Sequence, residues 1–332
     1  MTVSILGRNV PEAYVEGLNA LRIFGKEEMT RLGSVFTIPE PSEIRIEYPD
    51  ERVLFDPIRK ANPFFHVMEF VWMMAGSDNV DWIANYNSRM YDFADAGVIN
   101  GAYGSRWRKH FGLDQIRFVV DLLREDHNTR RAVISMWDPA TDLMKGWHDY
   151  PCNTQICFRA GENGILNMTV FNRSNDFIWG ALGANAVHMT LLHELVAFAA
   201  GMKLGVYRVM SNNLHIYKSL ENFDDLWRTI HSPNPYYTGA EHAVTVRPLF
   251  APHEDWTRLI QDCDRAVNTS VGFHSNFESS WMKEVAVPMH FAYLDRKQKV
   301  GDGKRFIEEI KASDWKMACY KWIDWKVARP TE

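Results

Sequence analysis

The chain has 332 residues, 46% of them hydrophobic and 24% charged, with a formal net charge of −5. That is globular composition with ample material for a core, enough for one large domain or two ordinary ones. The slight excess of acid argues against a broad sequence-independent nucleic-acid surface, which needs clustered positive charge, yet allows a few arginines to converge on one small anion. Along the chain, residues 11–23 place apolar side chains at helical spacing after a proline and before Gly25, which predicts a helix. Ser34–Ile38 and Ile44–Tyr48 read as strands across the turn Pro39-Glu40-Pro41. Pro63 to Ala75 predicts a largely buried helix carrying one acid, Glu69, and Val80 to Tyr91 a second helix. A glycine- and aromatic-rich loop, Asn100 to Arg108, leads to an amphipathic helix over Gln115–Glu125 and a strand over Ala132–Trp137. Strands at Gln155–Arg159 and Ile165–Phe171 precede a long apolar helix from Asn185 to Ala200, closed by Gly201. Helical stretches follow at Leu220–His231 and Trp256–Val267, and the Lys-, Trp- and Met-rich end is helical too. No composition shift or internal repeat divides the chain. The expected fold class is α+β, with a catalytic domain over 1–250 and a helical C-terminal extension over 251–332 packed on it.

The cysteines are Cys152, Cys157, Cys263 and Cys319, none in a C-x-x-C pair, so no zinc ribbon or thioredoxin-like motif is expected. With neither a signal-peptide pattern nor a run of apolar residues long enough to span a bilayer, the chain is expected to be cytoplasmic, with reduced thiols and no metal.

The stretch from Tyr150 to Tyr217 concentrates chemistry-bearing residues. Cys152 follows a proline just before a strand, where a thiol can point outward; alone, it reads equally as a small buried hydrophobe. As a nucleophile it needs its thiolate, whose pKa a neighbouring guanidinium such as Arg173 would lower. Arg173-Ser174 at a strand end, with Arg130-Arg131, is the equipment of a phosphate site, although a double arginine is otherwise a solvated face. Glu69, mid-helix among large apolar residues, is a candidate acid/base if its carboxyl is buried. His188 and His193 do not have zinc-motif spacing and read as helix packing. His215 and Tyr217 alternate on an extended segment, so both face one way, as a sugar-hydroxyl pair or a packed pair.

These residues, in this order, resemble the thymidylate synthase family and its pyrimidine-nucleotide hydroxymethylases. The resemblance runs from about Asn62 to Tyr217. It rests on Glu69, Tyr103-Gly104-Ser105-Arg106-Trp107, Arg130-Arg131, Pro151-Cys152, Arg173-Ser174-x-Asp176 and His215-x-Tyr217. It implies a mixed β-sheet packed by helices, with the sheet face forming a homodimer interface. It also implies that Cys152 adds to C6 of the pyrimidine and that Arg173 and Ser174 bind the 5′-phosphate. Arg130 and Arg131 would reach the phosphate of the neighbouring site across that interface. Asp176 would contact 5,10-methylenetetrahydrofolate, the co-substrate. Glu69 and Tyr103 would serve proton transfers, and His215 with Tyr217 would hold the 3′-hydroxyl. Arg31 is a further candidate phosphate ligand.

Three departures bear on the product. Asn153 stands where a synthase has histidine, Tyr91 where it has a tryptophan lining the folate side, and the chain runs on past the synthase's short closing tail. All three fall where water exclusion or proton handling is decided, which favours hydroxymethylation over methylation. Asn185, read as the amide that recognises uracil, favours dUMP over dCMP, although the turn before it is longer than the synthase's by a single residue. The resemblance thus points to a phage-type deoxyuridylate or deoxycytidylate hydroxymethylase, with Asn153 among the catalytic residues. Thymidylate synthase itself, a cysteine hydrolase built on Cys152 and a non-catalytic nucleotide or RNA binder that keeps the fold are the rival readings.

Overall fold

The structure, a computed structural model, describes residues 2–30, 33–144, 146–228, 230, 236–239 and 243–327. Its strands are β1 (Val3–Gly7), β2 (Lys26–Thr30), β3 (Gly33–Ile38), β4 (Ser42–Ile46), β5 (Val133–Ser135), β6 (Asn153–Ala160), β7 (Ile165–Asn172), β8 (Asn175–Asp176), β9 (Lys203–Ser211) and β10 (Leu214–Tyr217). They form a six-stranded sheet in the order β1-β4-β9-β7-β6-β5 and a four-stranded sheet in the order β2-β3-β10-β8. The larger sheet is mixed: β1 pairs β4, and β7 pairs β9, in parallel, whereas its other pairings are antiparallel.

The helices in chain order are α1 (Val10–Phe24), α2 (Pro63–Met74), α3 (Val80–Ala84), α4 (Tyr103–Arg108), α5 (Gln115–Glu125), α6 (Pro139–Asp142), α7 (Asn185–Ala199), α8 (Phe223–Leu226), α9 (Trp256–Asn268), α10 (Val287–Lys297), α11 (Lys304–Ile307) and α12 (Ser313–Val327). Helix α2 starts at Pro63, behind the Asn62 side chain, which accepts the Phe65 N–H, and eleven of its twelve residues are buried. It packs against α7, α9, α10 and α12, which explains why its sequence is apolar all round. Helix α7 is buried along nearly its whole length for the same reason.

Strand β7 alternates Leu166, Met168, Val170 and Asn172 inward with half-buried Ile165, Asn167, Thr169 and Phe171 on the opposite face. One face of the large sheet is therefore core, and the other is only partly covered.

The architecture is the expected α+β arrangement, with differences in detail. The 80–91 helix breaks after α3, and Ser88–Phe93 is a 3₁₀ helix capped by the Asn87 side chain. The expected loop at 100–108 contains α4, because Gly104 lets the backbone lie on α2: a Cβ there would fall 2.1 Å from the Met73 carbonyl oxygen. Strands β1, β2 and β9 were not expected. β9 sits between β4 and β7, so its Leu204, Val206 and Met210 make the outer face as apolar as the inner one and blur the strand's alternation. Of the expected helix at 220–231, the single turn α8 is present, and residues 229 and 231–235 lie outside the described residues. Among the described residues no helix is long and apolar enough to cross a membrane.

Candidate active site

The two strand ends that carry the chemistry are neighbours by register. β6 begins at Asn153, β7 ends at Asn172, and these two residues pair. Cys152, one residue before β6, and Arg173, one residue after β7, are thereby brought together. The Arg173 N–H donates to the Cys152 carbonyl at 3.0 Å. An irregularity between Asn153 and Gln155 leaves Thr154 without a partner in the register, a bulge that re-aims the start of β6. The Arg173 side chain clamps the approach to the cysteine, with Nε donating to Pro151 O at 3.0 Å and Nη2 to Tyr150 O at 3.2 Å. Its guanidinium carbon also lies 5.5 Å from the Trp137 ring centre.

Cys152 is a free, half-buried thiol. Burial pushes its pKa up, Arg173 pulls it down, and Asp149 and Asp176 push it up again. The guanidinium acts in the expected direction but is outweighed, so the resting thiol is protonated.

Around it stand proton-bearing groups from other elements. Glu69 on α2 is 9% exposed, and burial, aided by the charge of Asp149, raises its carboxyl to about 8. Its Oε2 has no hydrogen-bond partner. His188 Nε2 comes within 3.4 Å of it, but that nitrogen is engaged with His66 O at 3.0 Å. Burial lowers His188 to about 3, so the contact is not an ion pair at neutral pH. The Tyr103 hydroxyl at the start of α4 hydrogen-bonds the Asn153 N–H and the Asn185 side chain, while burial and the neighbouring Cys152 and Asp149 raise its pKa.

Asp176 forms the opposite wall. It caps the wide turn Phe177–Ala184, taking the Trp179 N–H on Oδ1 at 2.5 Å, while its buried Oδ2 has no partner. Burial raises it to about 6, against the pull of the Trp179, Ile178 and Gly180 N–H groups and of Arg59. That turn is π-helical, the form that accommodates an added residue within a helix, and it bends at Leu182 and Gly183 before α7 begins with Asn185. Gly183 is required there, since a Cβ would meet Ile178 O at 2.4 Å. His215 pairs in register with Asp176, and its ring stands edge-on to Tyr217 at 5.1 Å, with Nδ1 2.7 Å from Asn213 Oδ1. Burial lowers the His215 pKa. His193 is a packing residue, its Nε2 2.6 Å from Leu166 O.

Other expected residues stand apart from this cluster. The Asn153 side chain is fully buried, with Nδ2 4.0 Å from Met189 Sδ, so only its backbone faces Tyr103. Tyr91 is 53% exposed, and its hydroxyl donates to Asp81 at 3.1 Å. Arg130 and Arg131 are exposed just before edge strand β5 and make no ion pair among the described residues. Ser174 is half-buried next to Arg173. Arg31 lies outside the described residues.

The structure adds three groups that the sequence reading missed. Arg59 is buried, donates Nε to Ile178 O at 3.0 Å and lies 4.4 Å from the centre of the half-exposed Trp179 ring. Asp149 is the third: burial lifts it to about 6, opposed by the N–H groups of Gly101 and Tyr150 and by Arg173 and Arg106. The available signal was Asp149's place three residues before Cys152. No group of three or more metal-ligating side chains occurs among the described residues.

A thiol, three carboxyls, a phenol, an arginine at a strand end and an amide at a helix start make a site equipped for nucleophilic and proton-transfer chemistry. Comparison with known proteins places it. The family model described as thymidylate synthase matches residues 25–238. A deoxyuridylate hydroxymethyltransferase of Pseudomonas phage M6 is 39% identical over 333 residues, covering 96% of this chain and 92% of that protein. A protein of the same name from Bacillus phage SP01 is 35% identical over 53% of this chain and 49% of its own length. The thymidylate synthase of Enterobacteria phage T4 is 30% identical over 46% of this chain and 57% of its own. The chain belongs to the thymidylate synthase family, a family of transferases.

Proposed function

We propose that the protein hydroxymethylates a deoxypyrimidine 5′-monophosphate at C5, with dUMP as the substrate. The observation that carries this reading is the near full-length similarity to the phage M6 protein, whose name states that reaction. Cys152 Sγ adds to C6 and makes C5 nucleophilic. Arg173 and Ser174 hold the 5′-phosphate, His215 and Tyr217 the 3′-hydroxyl, and Asn185 the uracil edge, with its amide oriented by Tyr103. The co-substrate 5,10-methylenetetrahydrofolate supplies the one-carbon unit. The unpartnered Asp176 Oδ2 beside Trp179 fits a ring carrying N–H groups, such as its pterin. Glu69 serves the proton transfers. Water then takes the place that hydride has in a synthase, a reading supported by the name of the phage M6 protein.

The functional unit is a homodimer through the partly covered sheet face, with Arg130 and Arg131 reaching the neighbouring phosphate. Their exposure and lack of ion-pair partners among the described residues support that role. The catalytic domain spans 1–250, and the later helices extend it.

Incubation with methylenetetrahydrofolate and either dUMP or dCMP, followed by mass analysis of the products, tests the reading. Hydroxymethyl-dUMP is expected. A methylated product with dihydrofolate would make the protein a synthase, and turnover of dCMP alone would reassign the base.

A further inference from the structure

Sulfur adds to carbon as thiolate, so a half-buried Cys152 with a raised pKa needs a proton acceptor. The charged groups that act on it are Arg173, Asp149 and Asp176. Arg173 is a permanent cation and accepts nothing. Asp176 faces the other way, toward Arg59 and the N–H groups of the wide turn. Asp149 lies on the segment that Arg173 clamps, and it also acts on Glu69 and Tyr103.

Its position is built: the carboxylate takes the Gly101 and Tyr150 N–H groups. Residue 101 must be glycine to allow this, because a Cβ would lie 2.3 Å from Asp149 Oδ2. Granted the covalent chemistry proposed above, we infer that Asp149 takes the Cys152 thiol proton, directly or through one water, with Glu69 as its acid partner.

In that step the Sγ–C6 bond forms, and the C5–C6 π pair shifts through C5 onto O4. The thiol proton passes to Asp149, and the Glu69 proton passes to O4. The two carboxyls hold one proton between them before and after. Their environments set this order, because a carboxyl near 6 is ionised and one near 8 protonated at pH 7. The groups facing Asp149 are Glu69 from α2, Tyr103 and Arg106 from α4, and Cys152 and Arg173 beside it. An Asp149 anion also disfavours free thiolate, which suits proton transfer concerted with bond formation.

The test uses the full chain and two readouts: tritium release from [5-³H]dUMP with methylenetetrahydrofolate, and alkylation of the Cys152 peptide followed by mass spectrometry across pH. For Asp149→Asn, tritium release is expected to fall about a hundredfold, the scale of a lost general base, and to lose its acid limb near pH 6. The Cys152 alkylation midpoint is expected to move down, since a repelling charge has gone. Nucleotide affinity stays within a few-fold, and Asp149→Glu restores part of the rate. A slower reaction from a more readily ionised thiol is a pairing that misfolding or loss of positioning does not produce. Wild-type tritium release in Asp149→Asn, or an unmoved alkylation midpoint, overturns the assignment. If the wild type releases no tritium from any pyrimidine nucleotide, the proposed function falls, and the midpoint alone then decides whether Asp149 acts on the thiol.

Discussion

Arg173 holds Cys152 in two ways: its backbone N–H donates to the Cys152 carbonyl at 3.0 Å, and its guanidinium donates to the Pro151 and Tyr150 carbonyls. One residue therefore sets the geometry of the nucleophile's turn and supplies the only positive charge acting on its sulfur among the described residues. The residue proposed to hold the phosphate is thus the one that clamps the thiol's turn.

Arg173→Ala should lower kcat/KM for tritium release by about a hundredfold or more, since hydrogen bonds to charged groups are each worth about 1.5–3 kcal/mol. Both KM and kcat should worsen, and the Cys152 alkylation midpoint should rise. Arg173→Lys should keep that midpoint closer to wild type while losing the planar fork. Kinetics of the two variants, with thermal melts as a folding control, check this. An effect confined to KM would remove Arg173 from the positioning of the thiol.

Glu69 ties stability to pH. Its folded value, about 8, lies above the unfolded carboxyl value of about 4.3. Its contribution to stability is thus fully present below about pH 4.3 and lost as pH rises through about 8. Glu69→Gln removes this titration, so the variant should gain on the wild type between those limits by an amount on the order of a few kcal/mol. Urea midpoints at pH 5 and pH 8 measure the difference. A gap that does not change with pH would place Glu69 in contact with solvent.

Asn185 sits between the wide turn and α7, and its amide engages the Tyr103 hydroxyl. An amide offers both a donor and an acceptor, as the uracil O4 and N3–H edge requires. Asn185→Asp should cost about tenfold or more in kcat/KM on dUMP and bring dCMP into turnover. Competition between the two nucleotides, read by product mass, decides it. Unchanged selectivity would move base recognition to another residue.

Much of this site was legible in the chain, because strand ends and helix positions leave residue-type signatures. Cys152 and Arg173 became neighbours because β6 and β7 pair, a contact anticipated from Pro151-Cys152 and Arg173-Ser174 flanking two strands. Glu69 stood out as the lone acid in an apolar helix, and it is buried. Asp149 did not stand out. A carboxyl in a loop reads as solvated, and only the fold brings Gly101, Glu69 and Tyr103 to it. Asn153 shows the opposite limit: its type invited a chemical role, yet the inward face of β6 turns its side chain onto Met189. The central strand β9 was hidden because both its faces are half apolar.

The anchorage of the later helices offers a stability test. Glu194 on α7 takes Arg52 Nη2 on Oε2 at 2.5 Å and the Leu249 N–H on Oε1 at 2.6 Å, while Arg52 Nε donates to Thr190 at 3.0 Å. With the Arg52 side chain only 3% exposed, Glu194→Ala strands a buried guanidinium and an unpaired N–H. Breaking one side of such a pair costs about 3–5 kcal/mol, far more than an exposed pair is worth. Glu194→Gln keeps one acceptor oxygen, for either the guanidinium or the N–H, and should cost less. α7 also begins with Asn185, so loosening residue 249 from this helix should weaken nucleotide binding in Glu194→Ala before global unfolding. Chemical denaturation alongside dUMP titration below the melting range measures both effects. Equal stability for the alanine and glutamine variants would mean that water reaches Arg52 and that the anchor lies elsewhere.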